Sequence, residues 1–297
     1  MNYLKFASID IGSNAVRFLL SYVFETSDGP FFRKGLLVRV PLRLGEDSFR
    51  FGRITKDKEE KLIHSMHAFK HLMLTQDIVG YKALATSAMR DASNNASIVN
   101  HIEQECGIVI EVISGEREAN VISGEQIPSF IKSKSKMLFV DVGGGSTELA
   151  YHNKTKIVRE SFNIGTIRSL YKEQTSEEHK AMEAWLKDVG LNDSGVQILG
   201  SGGNINKIYK IRRKRATDLH ISDQSLKDFY QEVKDLTNEE RIIKYQLNPD
   251  RADVIVPACE IFLSIINQTK TKRIFVPKTG LSDGIVRNLY KEYKARN

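Results

Sequence analysis

The chain has 297 residues and a formal net charge of +7 at pH 7, and 41% of its residues are hydrophobic. This length allows two globular domains with proper cores, and no apolar run approaches the roughly 20 residues that a membrane helix needs. We therefore expect a cytoplasmic protein with an anionic partner and no membrane contact, in which the two distant cysteines, Cys106 and Cys259, are buried free thiols.

Three strands are predicted at the start of the chain. They cover residues 4 to 10, 15 to 24 and 31 to 41. Asp10 lies at the end of the first strand, and Gly12 follows after one aliphatic residue. A glycine at such a position lets backbone N–H groups approach an oxyanion, so this turn is a candidate phosphate loop.

A long amphipathic helix is predicted next, because apolar residues recur at three- and four-residue spacing from 56 to 76. Thr55 precedes it as a candidate N-cap. His64, His67 and His71 share this helix, and their spacing would suit a metal ion. No acidic partner is evident in the sequence, so we interpret them as surface histidines.

Two further predicted strands, at residues 79 to 86 and 108 to 113, end in polar segments that run into helices. In open α/β sheets, functional groups gather at the carboxyl ends of the strands. Arg90 and Glu118 follow these ends. Ser114 is a natural N-cap for the second helix, so compensation of the helix dipole is an alternative interpretation of the nearby acids.

The opening pattern occurs a second time in the chain. The run MLFVDVGGGSTELA at 137 to 150 repeats, in outline, FASIDIGSNAVRFL at 6 to 19. Strands are predicted at 137 to 141, 145 to 152 and 155 to 162. Asp141 and Gly143 thus repeat Asp10 and Gly12. Two such loops facing one another would clamp a phosphoryl group and a divalent cation, which is minimal equipment for phosphoryl transfer.

A third glycine-rich turn, GSGGN at 200 to 204, follows a predicted strand at 195 to 200 and precedes a helical segment. A glycine turn at a helix N-terminus is another kind of anion site. The densest basic cluster, KIYKIRRKRA at 207 to 216, comes next. This cluster is interpreted either as part of an anion-binding surface or as a solvated face. No helix-turn-helix, zinc finger or aromatic RNA-binding pattern accompanies it, so a nucleic-acid partner is not expected.

The remaining elements complete an alternating pattern of strands and helices. We predict helices at 222 to 236 and 249 to 268, a strand at 273 to 278 and a closing helix from about Asp283. Alternation of this kind is typical of α/β layers.

Six motifs, taken in order, resemble those of the exopolyphosphatase and guanosine pentaphosphate phosphatase family, within the actin, Hsp70 and sugar kinase superfamily. They are DIGSNAVR at 10 to 17, ATSAMRDASN at 85 to 94, ISGEREA at 113 to 119, DVGGGSTEL at 141 to 149, GSGGN at 200 to 204 and GLSDG at 280 to 284. The resemblance implies two ribonuclease H-like α/β domains with a cleft between them, at residues 1–125 and 126–297. The last helix, about 283–297, is a candidate for packing back on the first domain.

The resemblance also implies roles for four acids. Glu118 matches the family's catalytic glutamate, the base for the attacking water. Asp141 and Glu148 match acids that position a metal ion and the water, so they count as both catalytic residues and metal ligands. Asp10 is a further candidate metal ligand. The implied cofactor is Mg²⁺ or Mn²⁺.

The phosphate-binding residues implied by the resemblance lie in the glycine turns and in the ATSAMR motif. They are Ser13, Asn14, Arg90, Gly143, Gly144, Gly145, Ser146, Thr147, Ser201, Gly202 and Gly203. Arg168 also matches a family arginine, with a structural salt bridge as the alternative.

The implied function is that of an exopolyphosphatase, which releases orthophosphate from the end of inorganic polyphosphate. One alternative is a guanosine pentaphosphate 5′-phosphatase, and another is an actin-like nucleotide-binding regulator with little turnover. The chain lacks a GxxxxGK[ST] motif and a CxxxxxR phosphatase signature, so a P-loop NTPase is excluded on motif grounds and no covalent phosphoenzyme is expected. A homodimer is one option for the oligomeric state.

Overall fold

The computed structural model of the chain describes residues 3–123, 136–153, 156–171, 176–191, 196–213, 215 and 217–296. The chain divides into two units. Unit 1 comprises Met1–Ile122 and Leu281–Asn297, and unit 2 comprises Ser123–Gly280. The boundary predicted between residues 125 and 126 lies outside the described residues.

Unit 1 contains a five-stranded sheet with the order β3-β2-β1-β4-β5. Its strands are β1 Tyr3–Ile11, β2 Val16–Thr26, β3 Gly29–Val40, β4 Gly80–Ala85 and β5 Ile110–Val112. The first three strands form an antiparallel meander, and β4 and β5 run parallel to β1. The five strands predicted for this part of the sequence are confirmed, with ends that differ by one or two residues.

Helices pack on both faces of this sheet, and β1 is buried from Phe6 to Ile11. The unit 1 helices are α1 Leu44–Phe51, α2 Lys56–Leu74, α3 Ser87–Asp91, α4 Asn95–Cys106, α5 Gly115–Ser123 and α13 Leu281–Arg296. On one face Phe18 stacks on Phe69 of α2, with ring centroids 5.3 Å apart. On the other face Phe6 and Leu19 join Val286 of α13 in one buried cluster. The last helix therefore completes the core of unit 1.

The start of α2 differs from the sequence prediction in detail. Helix α2 begins after Thr55, as predicted, but the Thr55 side chain makes no cap hydrogen bond. Its hydroxyl and its backbone N–H both bond to the buried Asp47 carboxylate of α1. Asp47 also pairs with Lys58 at 2.9 Å, and these contacts hold the pKa of Asp47 below its usual value despite its burial.

Unit 2 contains a six-stranded sheet with the order β10-β11-β9-β6-β7-β8. Its strands are β6 Met137–Val142, β7 Thr147–Asn153, β8 Lys156–Phe162, β9 Gln197–Ser201, β10 His220–Ser222 and β11 Arg273–Phe275. Strands β6 to β8 form an antiparallel meander, β9 and β11 continue the sheet in parallel, and β10 is an antiparallel edge. This order repeats that of unit 1, so each unit is a mixed-sheet α/β domain of the ribonuclease H-like type, as predicted.

The helices of unit 2 surround a large apolar core. They are α6 Arg168–Tyr171, α7 Ser176–Asp188, α8 Gly203–Arg212, α9 Asp223–Val233, α10 Asn238–Tyr245, α11 Pro249–Ala252 and α12 Ile255–Thr269. The single helix predicted at 249 to 268 is divided into α11 and α12. Cys259 of α12 is buried, as is Cys106 of α4, and burial raises the pKa of both thiols. The expectation of buried free cysteines is confirmed.

The segment Pro249–Thr269 is, by length and composition, apolar enough to cross a membrane, with a mean hydropathy of 1.2. The sequence analysis expected no such run. The most apolar 18-residue window of this segment is 56% buried, and Ile255, Phe262 and Ile265 belong to the core of unit 2. Core helices pass the same test, so this one helix is weak evidence for a membrane span.

One buried histidine is expected to make the stability of the protein depend on pH. Burial is the main cause, and the nearby Arg159 a second cause, of a lowered pKa for His152 on β7. As the pH falls below the ordinary histidine value of about 6.5, the unfolded chain takes up a proton that the folded chain resists. We therefore expect the free energy of unfolding to be highest above this pH and to fall on acidification.

Urea unfolding at pH 8 and at pH 5.5 tests this expectation. The variant His152→Gln should lose part of the difference that the wild-type protein shows between the two pH values. His64 is exposed on α2, so His64→Gln is the matched control and should keep the wild-type difference. An identical pH dependence in all three proteins would contradict the role of His152.

Candidate active site

The two repeated turns, Gly12–Ala15 and Gly143–Ser146, have the same internal geometry. The N–H of Gly12 donates to the Ala15 carbonyl at 3.2 Å, and the N–H of Gly143 donates to the Ser146 carbonyl at 2.9 Å. A Cβ at Gly12 would lie 3.2 Å from the Ala15 carbonyl oxygen, and a Cβ at Gly143 would lie 3.1 Å from the Ser146 carbonyl oxygen. Both turns therefore favour glycine. The repeat seen in the sequence is thus a repeat of structure. We call them the first and the second phosphate loop.

The first phosphate loop is connected to helix α3 through two hydroxyl groups. Ser13 is buried, and its Oγ lies 2.9 Å from the Oγ of Ser87, which is also buried. Ser87 and Arg90 are one turn apart on α3, so this helix brings the loop and the arginine together. Ser87 and Arg90 both follow the carboxyl end of β4, where functional groups are expected from the sequence.

Glu118 lies beside Arg90 in unit 1. Only 7% of Glu118 is exposed, and its Oε2 is 3.9 Å from Nη1 of Arg90. The same Nη1 donates to the Ile113 carbonyl at 2.9 Å, which fixes the guanidinium against the end of β5. Ser114 Oγ accepts the N–H of Arg117 at 3.2 Å, so the predicted N-cap is confirmed. A glutamate and an arginine are thereby held next to each other.

The residue that the strand register places opposite the repeated aspartate is a cation in one unit and an acid in the other. In unit 1, Asp10 lies opposite Arg17, and its Oδ2 is 2.8 Å from the guanidinium Nη1. In unit 2, Asp141 lies opposite a second acid, Glu148. Glu148 is 3% exposed and accepts a hydrogen bond from Ser161 Oγ at 2.9 Å. The repeated aspartate therefore faces a cation in the first unit and a carboxylate in the second.

This difference bears on where a cation would bind. Like charges placed directly opposite each other on a sheet are destabilising, and a divalent cation would relieve that repulsion. Among the described residues, no group of three or more His, Cys, Asp or Glu side chains could hold a metal ion. Mg²⁺ is commonly held by one or two carboxylates together with water and substrate phosphates. Asp141 and Glu148 fit that donor set, whereas the charge of Asp10 is balanced by Arg17.

The third glycine turn lies beside Asp141 in unit 2. Ser201 is the register partner of Asp141 on the parallel strand β9, and its Oγ donates to the Thr279 carbonyl at 2.8 Å. Gly202 has a φ of 109°, and a Cβ there would lie 2.6 Å from the Val142 carbonyl and 3.3 Å from Asp141 Oδ1. No other residue type would fit. Gly203 begins α8.

Basic residues follow this turn on α8 and α11. Nη1 of Arg251 donates to the Gly203 carbonyl. Burial, and then the charges of Lys210 and Arg251, lower the pKa of Lys207. Part of the basic cluster predicted at 207 to 216 is thus a concentration of positive charge next to the turn; residues 214 and 216 lie outside the described residues.

The second phosphate loop is bonded to the segment 163–168. Thr147 Oγ1 donates to the Ile164 carbonyl at 2.6 Å, so its hydroxyl proton is directed to the protein. Arg168 is buried, and its Nε donates to the Gly145 carbonyl at 2.6 Å. Arg168, which matches a family arginine, thus contacts the loop itself.

The structure brings the predicted site residues together in two groups. Unit 1 holds Asp10, Ser13, Asn14, Arg90 and Glu118, and unit 2 holds Asp141, Gly143, Gly144, Gly145, Ser146, Thr147, Glu148, Ser201, Gly202 and Gly203. Repeated glycine loops with nearby acids and arginines, on two mixed-sheet α/β units, are the features of an actin-like fold.

The chain belongs to the Ppx/GppA phosphatase family, whose family model matches residues 38–292. The resemblance inferred from the motifs is confirmed. A solved family member from Aquifex aeolicus is 26% identical and covers 98% of this chain and 99% of its own, with a TM-score of 0.75. An exopolyphosphatase from Cytophaga hutchinsonii, 23% identical, covers 97% of this chain and 98% of its own, with a TM-score of 0.81, and supports the fold.

Curated relatives include larger proteins. A bifunctional 3-dehydroquinate synthase/phosphatase from Fusobacterium nucleatum is 27% identical over 90% of this chain, but the match spans 43% of that protein. Exopolyphosphatase 1 from Mycobacterium tuberculosis is 29% identical over 50% of this chain and 42% of its own length. A putative exopolyphosphatase from Haemophilus influenzae is 21% identical over 99% and 94% of the two chains. The chain spans less than half the length of the first two relatives.

Proposed function

We propose that this chain is an exopolyphosphatase that hydrolyses the terminal phosphoanhydride bond of inorganic polyphosphate and releases orthophosphate. The family is one of phosphatases, and the relatives from Mycobacterium and Haemophilus carry the name exopolyphosphatase. The observation that carries the proposal is the placement of buried Glu118 beside Arg90 on elements joined to the first phosphate loop.

The proposed reaction uses groups with separate tasks. Backbone N–H groups of the phosphate loops and the Arg90 guanidinium bind the negatively charged phosphate oxygens, and these contacts stabilise the charge that develops in the transition state. Glu118 orients the attacking water and takes its proton. A bond then forms between the water oxygen and the terminal phosphorus, and the bridging P–O bond breaks. The bridging oxygen leaves on the shortened chain.

We propose Mg²⁺ or Mn²⁺ as the cofactor, with Asp141 and Glu148 as its protein ligands. When bound, such a cation neutralises phosphate charge. Ser161 holds one oxygen of Glu148 and so orients that carboxylate. Asp10, engaged with Arg17 and 3.4 Å from the Ser282 hydroxyl, is better placed to support the first phosphate loop from the end of β1.

The test of this function is phosphate release by the purified protein with Mg²⁺, measured on short polyphosphate, long polyphosphate, guanosine pentaphosphate and ATP at equal phosphate concentration. The proposal predicts the highest kcat/KM on one of the two polyphosphates. A higher kcat/KM on guanosine pentaphosphate would make the chain a nucleotide 5′-phosphatase. Binding of ATP with no release from any substrate would favour a regulator.

A further inference from the structure

The carbonyl groups of the second phosphate loop are bonded to the segment 163–168. The Gly143 carbonyl accepts the N–H of Thr166 at 3.1 Å. The Gly144 carbonyl accepts two N–H groups, from Ile167 at 2.7 Å and from Arg168 at 3.0 Å. The Gly145 carbonyl accepts Nε of Arg168 at 2.6 Å. Three consecutive carbonyls are thus held on one side of the loop.

These contacts determine where the N–H groups of the loop point. In a planar trans peptide, the C=O of one residue and the N–H of the next point in opposite directions. Holding the carbonyls of Gly143, Gly144 and Gly145 on one side therefore directs the N–H groups of Gly144, Gly145 and Ser146 to the other. Backbone hydrogen bonds among the described residues use the N–H of Gly143 but not these three. Successive N–H groups on one side of a turn are the arrangement that anion-binding concavities use.

The segment is tightly packed against the loop. Gly165 is so close that a Cβ on it would lie 2.4 to 2.5 Å from the backbone atoms of Gly145. Arg168 is 5% exposed. A buried arginine that donates to a backbone carbonyl has lost its water, so the contact constrains both partners. The loop cannot rotate its peptides without breaking these contacts.

The first phosphate loop has a similar arrangement. The N–H of Gly45 donates to the Ser13 carbonyl at 2.8 Å, and the N–H of Arg43 donates to the Asn14 carbonyl at 3.0 Å. As in unit 2, these donors follow the third strand of the repeat. Hydrogen bonds that hold the loop carbonyls are therefore part of the structure that the two units share.

We propose that Arg168 is a positioning residue: through its contact with the Gly145 carbonyl, it presents the N–H groups of the second phosphate loop to a phosphate group. It acts through the loop and does not touch the reacting atoms. The identity of the anion rests on the proposed function, because inorganic phosphate is the product of the proposed reaction.

The experiment is a titration with inorganic phosphate, followed through the amide resonances of Gly144, Gly145 and Ser146. It compares the wild-type protein with Arg168→Lys, which keeps a cationic donor, and Arg168→Met, which keeps most of the side-chain volume without a donor. We expect the phosphate Kd read from these resonances to rise in the order wild type, Lys, Met, with a loss on the order of tenfold or more for Met. Both variants are measured at a temperature well below their own Tm.

Arg241 supplies the matched control, because it also donates to backbone carbonyls of unit 2, those of Val233, Lys234 and Ala252. Arg241→Lys and Arg241→Met should lower the Tm without changing the phosphate Kd of the loop amides. An unchanged Kd in the Arg168 series, or an equal change in the Arg241 series, would overturn the positioning role.

Turnover on polyphosphate, measured on the same samples, separates this inference from the proposed function. If the wild-type protein hydrolyses polyphosphate but the Arg168 series binds phosphate normally, only the positioning role fails. If the graded loss of phosphate binding is observed without hydrolysis by the wild-type protein, the positioning role stands and the proposed function fails. If phosphate does not shift the loop amides of the wild-type protein, the positioning role is wrong.

Discussion

Replacing Glu118 by glutamine is expected to lower kcat for polyphosphate hydrolysis by a factor of about 100 to 10,000, the usual contribution of a general base. The amide has nearly the same shape and can still accept a hydrogen bond from water, but it cannot take the proton. Because Glu118 is proposed to contact the attacking water and not the phosphate oxygens, binding of the phosphate chain should change little. The loss should fall on kcat more than on KM.

Glu116 provides the control, since it is an exposed acid on the same helix turn. Glu116→Gln removes the same charge from the surface and should retain nearly full activity. Steady-state kinetics of both variants on short polyphosphate, with a direct measurement of chain binding, would decide the role. A Glu118→Gln variant that loses binding and turnover in the same proportion would show that the residue holds substrate and does not act as the base.

Asp141→Asn and Glu148→Gln should each abolish most activity and raise the Mg²⁺ concentration needed for half-maximal activation. The two acids are register partners, so removing either leaves a single carboxylate for the cation. In metal-free protein, the loss of one of two facing negative charges should leave the free energy of unfolding unchanged or raise it by about 0.2–1 kcal/mol. Mg²⁺ should stabilise the wild-type protein against unfolding and the variants much less.

The matched control for this pair is Glu160→Gln, an exposed acid on β8 next to the serine that bonds Glu148. It should keep wild-type activation by Mg²⁺ and the wild-type thermal shift. Normal Mg²⁺ activation in both Asp141→Asn and Glu148→Gln would contradict the assignment of a cation to this pair of acids.

The phosphate loops were predictable from sequence because a buried strand, an acid and a glycine recur together at 6 to 19 and 137 to 150. The conformation of such a turn depends mainly on the residues within the turn. The five strands of unit 1 and helix α2 were also predictable, since they carry long apolar patterns. Family resemblance, and not periodicity, identified Glu118 and Arg90, which are 28 positions apart and come together where Arg90 bonds to the Ile113 carbonyl.

What sequence could not supply depends on contacts between distant segments. Strand register decides which residue faces each aspartate. It places Arg17 opposite Asp10 and Glu148 opposite Asp141. The contact of Arg168 with Gly145 joins residues 23 positions apart. Helix α1 was missed because it has only eight residues and begins after Arg43, whose φ of 53° no local pattern requires.

The most direct test of the proposed hydrolysis is product analysis with defined-length polyphosphate in water enriched in ¹⁸O. We expect orthophosphate from the start of the reaction, one solvent oxygen on each released phosphate, and shortening of the polyphosphate chains from their ends. Early appearance of mid-length polyphosphate fragments would contradict the proposed exopolyphosphatase activity. So would the absence of orthophosphate under conditions where polyphosphate binds to the protein.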